Sequence, residues 1–214
     1  MGGAVFNHAG TLLVRNSTLT GNRAVGGDAP RGVAGAGLGA ALFSMNGDVV
    51  LEHATLWGNE VANGTGLAQP TIRASGGALY LLELCGAGVG ACPSTPQTAT
   101  VRASLLGGTS GGDDVTSDGL RTGQFSTDHA SIIQSGWTGS GTPRNLDPLL
   151  GALTDNGGPT PTLLPRHGSP AIDAVACEPD IRQDQRGASR PDPESRSTTP
   201  CDVGALEVGG VQEP

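Results

Sequence analysis

The stretch "GGAVFNHAGTLLVRNSTLTGN", residues 2–22, holds two runs of strand character within twenty residues, and both recur. Gly2-Gly3-Ala4-Val5-Phe6 aligns with Gly39-Ala40-Ala41-Leu42-Phe43 and with Gly76-Gly77-Ala78-Leu79-Tyr80, at a spacing of 37 residues both times. Leu12, Val14, Thr18, Leu19, Gly21 and Asn22 fall on Val49, Leu51, Thr55, Leu56, Gly58 and Asn59 at the same offset. Self-similarity at one fixed period is the mark of stacked repeats. Leu12 and Val14 share a face by alternation, whereas Leu19 has the opposite parity, so the chain bends at Asn16-Ser17, which are turn formers. Each unit is therefore two or three short strands joined by bends.

In the third unit the pattern returns late. Val101 to Leu106 repeats Val14 to Leu19 at an offset of 87, two repeats plus thirteen residues. The inserted "CGAGVGACPSTPQ" leaves the register intact on both sides and so reads as a surface loop. A weaker fourth copy is Ala130-Ser131-Ile132-Ile133. Short β units that cannot bury an apolar face alone stack on one another. The expected ladders are Val14/Leu51/Val101, Leu19/Leu56/Leu106 and Phe6/Phe43/Tyr80. The fold class is thus all-β, a single-stranded parallel β-helix over residues 1–144. The opening stretch reads as one inner unit of that stack, which leads us to expect further units upstream of Met1.

Composition narrows the function. The 214 residues include 36 Gly and 15 Pro with 3% aromatics, yet periodic Val, Leu and Ile runs argue against disorder. A net charge of -8 disfavours nucleic acid as a partner, since phosphate binding needs a basic surface. No apolar run approaches the ~20 residues that span a bilayer, and no basic-then-apolar leader is visible. None of Cys85, Cys92, Cys177 and Cys201 shows paired zinc-site spacing. Three pairings are open; Cys85–Cys92 with Cys177–Cys201 is the simplest because each closes a local loop, and it implies an oxidising compartment.

From Asn145 the character changes. Asp147-Pro148-Leu149-Leu150, Asp155-Asn156-Gly157-Gly158-Pro159-Thr160, Gly168-Ser169-Pro170-Ala171-Ile172-Asp173, Asp184-Gln185-Arg186-Gly187 and Cys201-Asp202-Val203-Gly204-Ala205-Leu206-Glu207 follow in order. Together they resemble the choice-of-anchor Q domain found at the C-terminal end of bacterial surface and secreted β-helix proteins, over residues 145–208, with 209–214 a tail. The resemblance implies an exported, cell-surface protein and a right-handed helix. No sorting motif or apolar anchor follows Glu207 here. From the residues themselves, the segment reads as a loop-rich cap over an open β end, its cover supplied by Leu149, Leu150, Leu153, Leu163, Leu164, Ile172 and Leu206. Arg186 is expected to contact a carboxylate of this segment.

Candidate chemistry is sparse. Asp113-Asp114, with Asp118 and Asp128 nearby, are the paired carboxylates that acid–base work on a glycoside needs, but "GGTSGGDDVTSDG" reads as a turn-rich loop. Asp113 and Asp155 are weak candidates for calcium, which needs six to eight oxygen ligands; Asp48 and Glu52 lack acidic residues stacked 37 positions earlier. No cofactor is expected beyond that calcium. The scattered histidines, His53 among them at the turn position of Asn16, read as polar turn residues. Asn22 and Asn59 read as a structural ladder. Trp57 and Trp137 are weak candidates to stack on a sugar ring. The expectation is a non-enzymatic exported protein for adhesion or glycan contact, with an extracellular polysaccharide or a cell-surface partner. The alternative is a polysaccharide lyase or glycoside hydrolase whose catalytic units lie partly upstream of Met1.

Overall fold

The computed structural model describes residues 2–84, 96–119, 124–195 and 200–211. The first unit holds β1 (Val5–His8), β2 (Thr11–Arg15), β3 (Thr18–Thr20), β4 (Arg23–Val25) and β5 (Ala29–Val33). The second holds β6 (Leu42–Met45), β7 (Asp48–Glu52), β8 (Thr55–Trp57), β9 (Glu60–Ala62) and β10 (Gly66–Ala68). The third holds β11 (Leu79–Leu82), β12 (Ala99–Arg102) and β13 (Leu105–Gly107), and the fourth β14 (Val115–Asp118), β15 (Phe125–Thr127) and β16 (Ile132–Ile133). No α-helix occurs among the described residues.

Every strand pair is parallel and joins equivalent strands of neighbouring units. Three four-stranded sheets result, β1-β6-β11-β14, β2-β7-β12-β15 and β3-β8-β13-β16, with the smaller pairs β4-β9 and β5-β10 beside them. The anticipated registers hold residue for residue: Val14 faces Leu51, which faces Val101; Leu19 faces Leu56, which faces Leu106; Phe6 faces Phe43, which faces Tyr80. The weak fourth copy is β16, where Ile132 and Ile133 face Leu105 and Leu106. One reading needs correction. The polar stretch after Gly107 is not all loop, because Val115–Asp118 joins the first sheet opposite Leu79–Leu82. A single apolar residue, Val115, was too weak a pattern to mark a strand, although its neighbour's register supplies the pairing.

The core lies where the three sheets meet. Leu42, Val49, Leu51, Leu56, Leu79, Val101, Leu106 and Val115 are 0–1% exposed there. Each such side chain contributes about 1.5–3 kcal/mol by leaving water. The aromatic ladder stands on the other face of the first sheet. Phe43 and Tyr80 stack with centroids 5.3 Å apart and planes 5° from parallel. Both are buried, and the bend before each strand passes close to the base of its side chain. Gly39 and Gly76 make that possible at φ +64° and +68°, where a Cβ would lie 2.7 Å and 2.8 Å from the aromatic Cβ.

Residues 145–211 were expected to cap the stack; the contacts of 183–205 run along its flank. Gly204 N–H donates to the Ala103 carbonyl in the third unit. Ala205 N–H donates to Thr55 Oγ1 in the second. Asn16 Nδ2 donates to the Gln183 carbonyl, and Thr18 Oγ1 to Gln185 Oε1, in the first. The reason lies in the corner between the second and third sheets. Asn16, His53 and Ala103 occupy it with φ of 44°, 47° and 43°, a bend that turns polar groups outwards and needs partners. Leu163 and Leu206 are buried as expected of cover, whereas Leu149 and Leu153 are exposed. The fourth unit is instead followed by residues 135–144, with Ser140 bridging to Ser126 and Arg144 to Ile132.

Candidate functional site

The carboxylates singled out in the sequence do not act as one pair. Asp113 is exposed and Asp114 is buried. Asp114 Oδ1 accepts from Thr109 N–H at 2.9 Å, and Oδ2 accepts from Ser135 Oγ at 2.6 Å. Those bonds fasten the third unit to the fourth, so both oxygens are committed to the fold. Asp128 does similar work: Oδ2 accepts from Ala103 N–H, and Oδ1 from Ser131 N–H and Oγ. Asp155 Oδ1 accepts from Gly157 N–H and closes a turn. Glu52 lies between Arg15 at 2.6 Å and Arg102 at 3.3 Å, and Asp48 Oδ1 accepts from Thr98 N–H and Oγ1. Among the described residues no three His, Cys, Asp or Glu converge as a metal site would need.

The two tryptophans also pack. A Cβ at Gly107 would lie 2.4 Å from Trp57 Cζ3, and one at Gly108 would lie 2.7 Å from Nε1, so the indole lies on that glycine pair. Trp137 meets Phe125 with centroids 4.0 Å apart. Asn22 and Asn59 form the ladder expected, with Asn22 Nδ2 donating to Asn59 Oδ1 and Asn59 Nδ2 to the Leu19 carbonyl.

Asp113 and Asp118 do share a place: a groove of about 650 Å³ beside the aromatic ladder, walled also by Arg73, Asn63 and Thr116, with Tyr80 at its base. Tyr80 Oη donates to Asp118 Oδ2 at 3.3 Å. Burial, and then the Asp118 charge, push the phenol up to about 12, so Tyr80 keeps its proton and serves as a donor rather than a base. Carboxylate acceptors, a guanidinium, an amide and hydroxyls on one wall form the set that hydrogen-bonds a polyol.

A second polar centre was invisible in the sequence. Arg190 and Glu207 pair at 2.8 Å with both side chains fully buried. Arg190 also donates to the carbonyls of Asp202 and Gly204, and Glu207 accepts from the N–H groups of Asp202 and Asp192. The expected Arg186 contact is with Asp184, where Nε and Nη2 both reach Oδ2. His53 Nδ1 lies 3.1 Å from the Asp202 carbonyl, an acceptor, so that nitrogen carries the hydrogen and Nε2 is left with a lone pair. Burial, and then the nearby Arg190 charge, lower His53 to about 4. This centre clasps the 145–211 segment to the stack. The side chains of Arg190 and Glu207 are closed off from solvent.

Cys177 and Cys201 form the disulfide expected, with Cα atoms 5.2 Å apart. Cys85 and Cys92 lie outside the described residues. Among the described residues no helix is long and apolar enough to cross a membrane. Comparison of the chain with protein-family models, with curated proteins and with solved structures gives no match.

Proposed function

We propose that this chain is a right-handed parallel β-helix of an exported bacterial surface protein, closed along its flank by a choice-of-anchor Q-like segment, and that it binds extracellular polysaccharide without cleaving it. The groove at Tyr80 carries the proposal. It joins a protonated phenol, the carboxylates of Asp113 and Asp118 and the Arg73 guanidinium in one polar trough. The disulfide supports an oxidising, extracellular setting. The hydrogen bonds of Asp114 and Asp128 to neighbouring units support a structural role for these two carboxylates and leave Asp113 and Asp118 as those that face the groove.

The test is affinity electrophoresis through gels containing neutral, uronate and amine-bearing polysaccharides, with reducing-end and unsaturated-product assays on the same polymers. Retardation without product, reduced in Tyr80→Phe, Asp118→Asn and Arg73→Ala, fits the proposal. Absence of retardation on every polymer overturns it.

A second reading has one observation in its favour. Asp113, Asp118 and Arg73 line one groove, as an acid, a base and a charge stabiliser would in a polysaccharide-active enzyme. Product release abolished by Asp118→Asn decides for that reading.

A further inference from the structure

We infer that the groove at Tyr80 takes an amine-bearing sugar from within a polysaccharide chain, its ammonium set against Asp113 and Asp118, an assignment that rests on the polysaccharide-binding reading above.

The groove lies where the stack omits an element. Twenty-one residues separate β3 from β6 and β8 from β11, and these arms carry β4 with β5 and β9 with β10. Only seven separate β13 from β14. That short crossing runs tight against the second arm, since a Cβ at Gly111 would overlap the Val61 carbonyl and one at Gly112 the Ala74 carbonyl. The space a third arm would fill is left between Asn63 and Arg73 of the second arm and Asp113 and Asp118 beyond it. It is an open trough rather than an enclosed cavity, a shape that admits a unit from the middle of a chain.

The charges facing the trough are not used by the fold. Elsewhere exposed charges pair between units, Arg15 with Glu52 and Arg23 with Glu60. Among the described residues no ion pair engages Asp113, Asp118 or Arg73. Asp118 Oδ2 accepts from Tyr80 Oη, and that bond leaves Oδ1 free.

This set selects among sugars. Two carboxylates against one guanidinium give the trough a net negative charge, within a chain of net charge -8. A uronate polymer is repelled by both. A neutral sugar hydrogen-bonds but leaves the carboxylates without a counter-charge. An ammonium brings three donors and makes charge-assisted bonds, the stronger kind. Calcium would need six to eight oxygen ligands, and among the described residues no third acidic group or histidine joins this pair. Arg73 repels the ammonium and donates to ring and hydroxyl oxygens, so it fixes which way round the sugar lies.

The test uses the whole protein and three labelled hexamers, of glucosamine, of N-acetylglucosamine and of lysine. Fluorescence anisotropy at low salt measures affinity, and hydrogen exchange of the protein maps the site. The glucosamine hexamer is expected to bind about two- to thirty-fold more tightly than its N-acetylated counterpart, the worth of one or two exposed ion pairs, and to slow exchange in 72–80 and 113–118. Asp113→Asn with Asp118→Asn is expected to abolish the preference. Glu178→Gln, which removes an exposed carboxylate outside the trough, is expected to keep it. Equal or tighter binding of the N-acetylated hexamer with the same protection overturns the amine assignment and leaves the polysaccharide reading standing. Binding of neither sugar hexamer overturns the assignment too, and retardation on the other polymers then decides the broader reading separately. A preference that survives the double variant, or that Glu178→Gln lowers equally, reports attraction to net charge alone and overturns it. Tighter binding of hexalysine with protection of the same stretches assigns the trough to a basic peptide and likewise overturns it.

Discussion

Arg190 Nη1 lies 2.8 Å from Glu207 Oε2, with neither side chain exposed, inside a segment that has almost no regular secondary structure. The pair holds two stretches of chain together, 190–192 and 202–207, because its remaining hydrogen bonds reach Asp192, Asp202 and Gly204. A fully buried ion pair costs much desolvation, and removing one partner leaves the other charge without compensation. Arg190→Ala and Glu207→Ala are each expected to destabilise by about 3–5 kcal/mol in urea unfolding followed by circular dichroism. The double variant Arg190→Met with Glu207→Leu is expected to lose less than either. Single variants within experimental error of wild type would show that the segment does not depend on this pair.

His53 gives a pH dependence of definite sign. Its folded value, about 4, lies below the 6.5 of an unfolded chain. The unfolded state therefore takes up the proton first, and the His53 contribution is whole above pH 6.5 and shrinks as pH falls towards 4. Asp202 acts in the opposite sense, since burial raises it to about 6 and its contribution is lost as pH rises through that value. Burial likewise pushes Glu207 up, against the pull of Arg190. The His53 term is isolated by comparison with His53→Asn, a residue that accepts the positive φ of this corner. Wild type is expected to lose at most about 3 kcal/mol relative to the variant between pH 6.5 and 4. Parallel stability curves for the two proteins would refute this.

The contact of Trp57 with Gly107 predicts a coupled pair of substitutions. Gly107→Ala is expected to destabilise by about 1–3 kcal/mol, because its Cβ enters the space of the indole. In a Trp57→Leu background the same change is expected to cost little. A double-mutant cycle with no coupling would place the indole elsewhere.

The Cys177–Cys201 bridge encloses 24 residues of sequence separation. Loop-closure entropy alone assigns it about 3 kcal/mol. Cys177→Ser with Cys201→Ser is expected to lower the urea midpoint by that equivalent and to loosen exchange protection near Val175 and Val203, which pair and pack beside the bridge. Protection unchanged in both stretches would show that the polar clasp suffices without the bond.

The stack was legible because each unit repeats its neighbour. Leu12 and Val14, with Leu19 at opposite parity, mark two strands and the bend between them, and the 37-residue offset identifies which residues face each other. Where a unit departs from its neighbour the signal weakens. β14 has one apolar residue in four, and its place follows from pairing with β11 rather than from its own pattern. The groove was half legible: Asp113 and Asp118 were noted, but Tyr80 was read only as a member of an aromatic ladder. Its hydroxyl meets Asp118 because the third and fourth units stack in register, not because the two are close in sequence.

By itself, then, the sequence determined the parallel stacking, its period and the apolar ladders, since a periodic pattern encodes contacts between equivalent residues. Only the tertiary structure decided the path of residues 145–211 and the partners of Arg190, His53 and Asp114. Those contacts join residues 5–174 positions apart, through side chains whose neighbours in sequence carry no repeat. Hydrogen bonds of that kind depend on where the backbone corners deliver unpaired groups, and the corners exist only once the units have stacked.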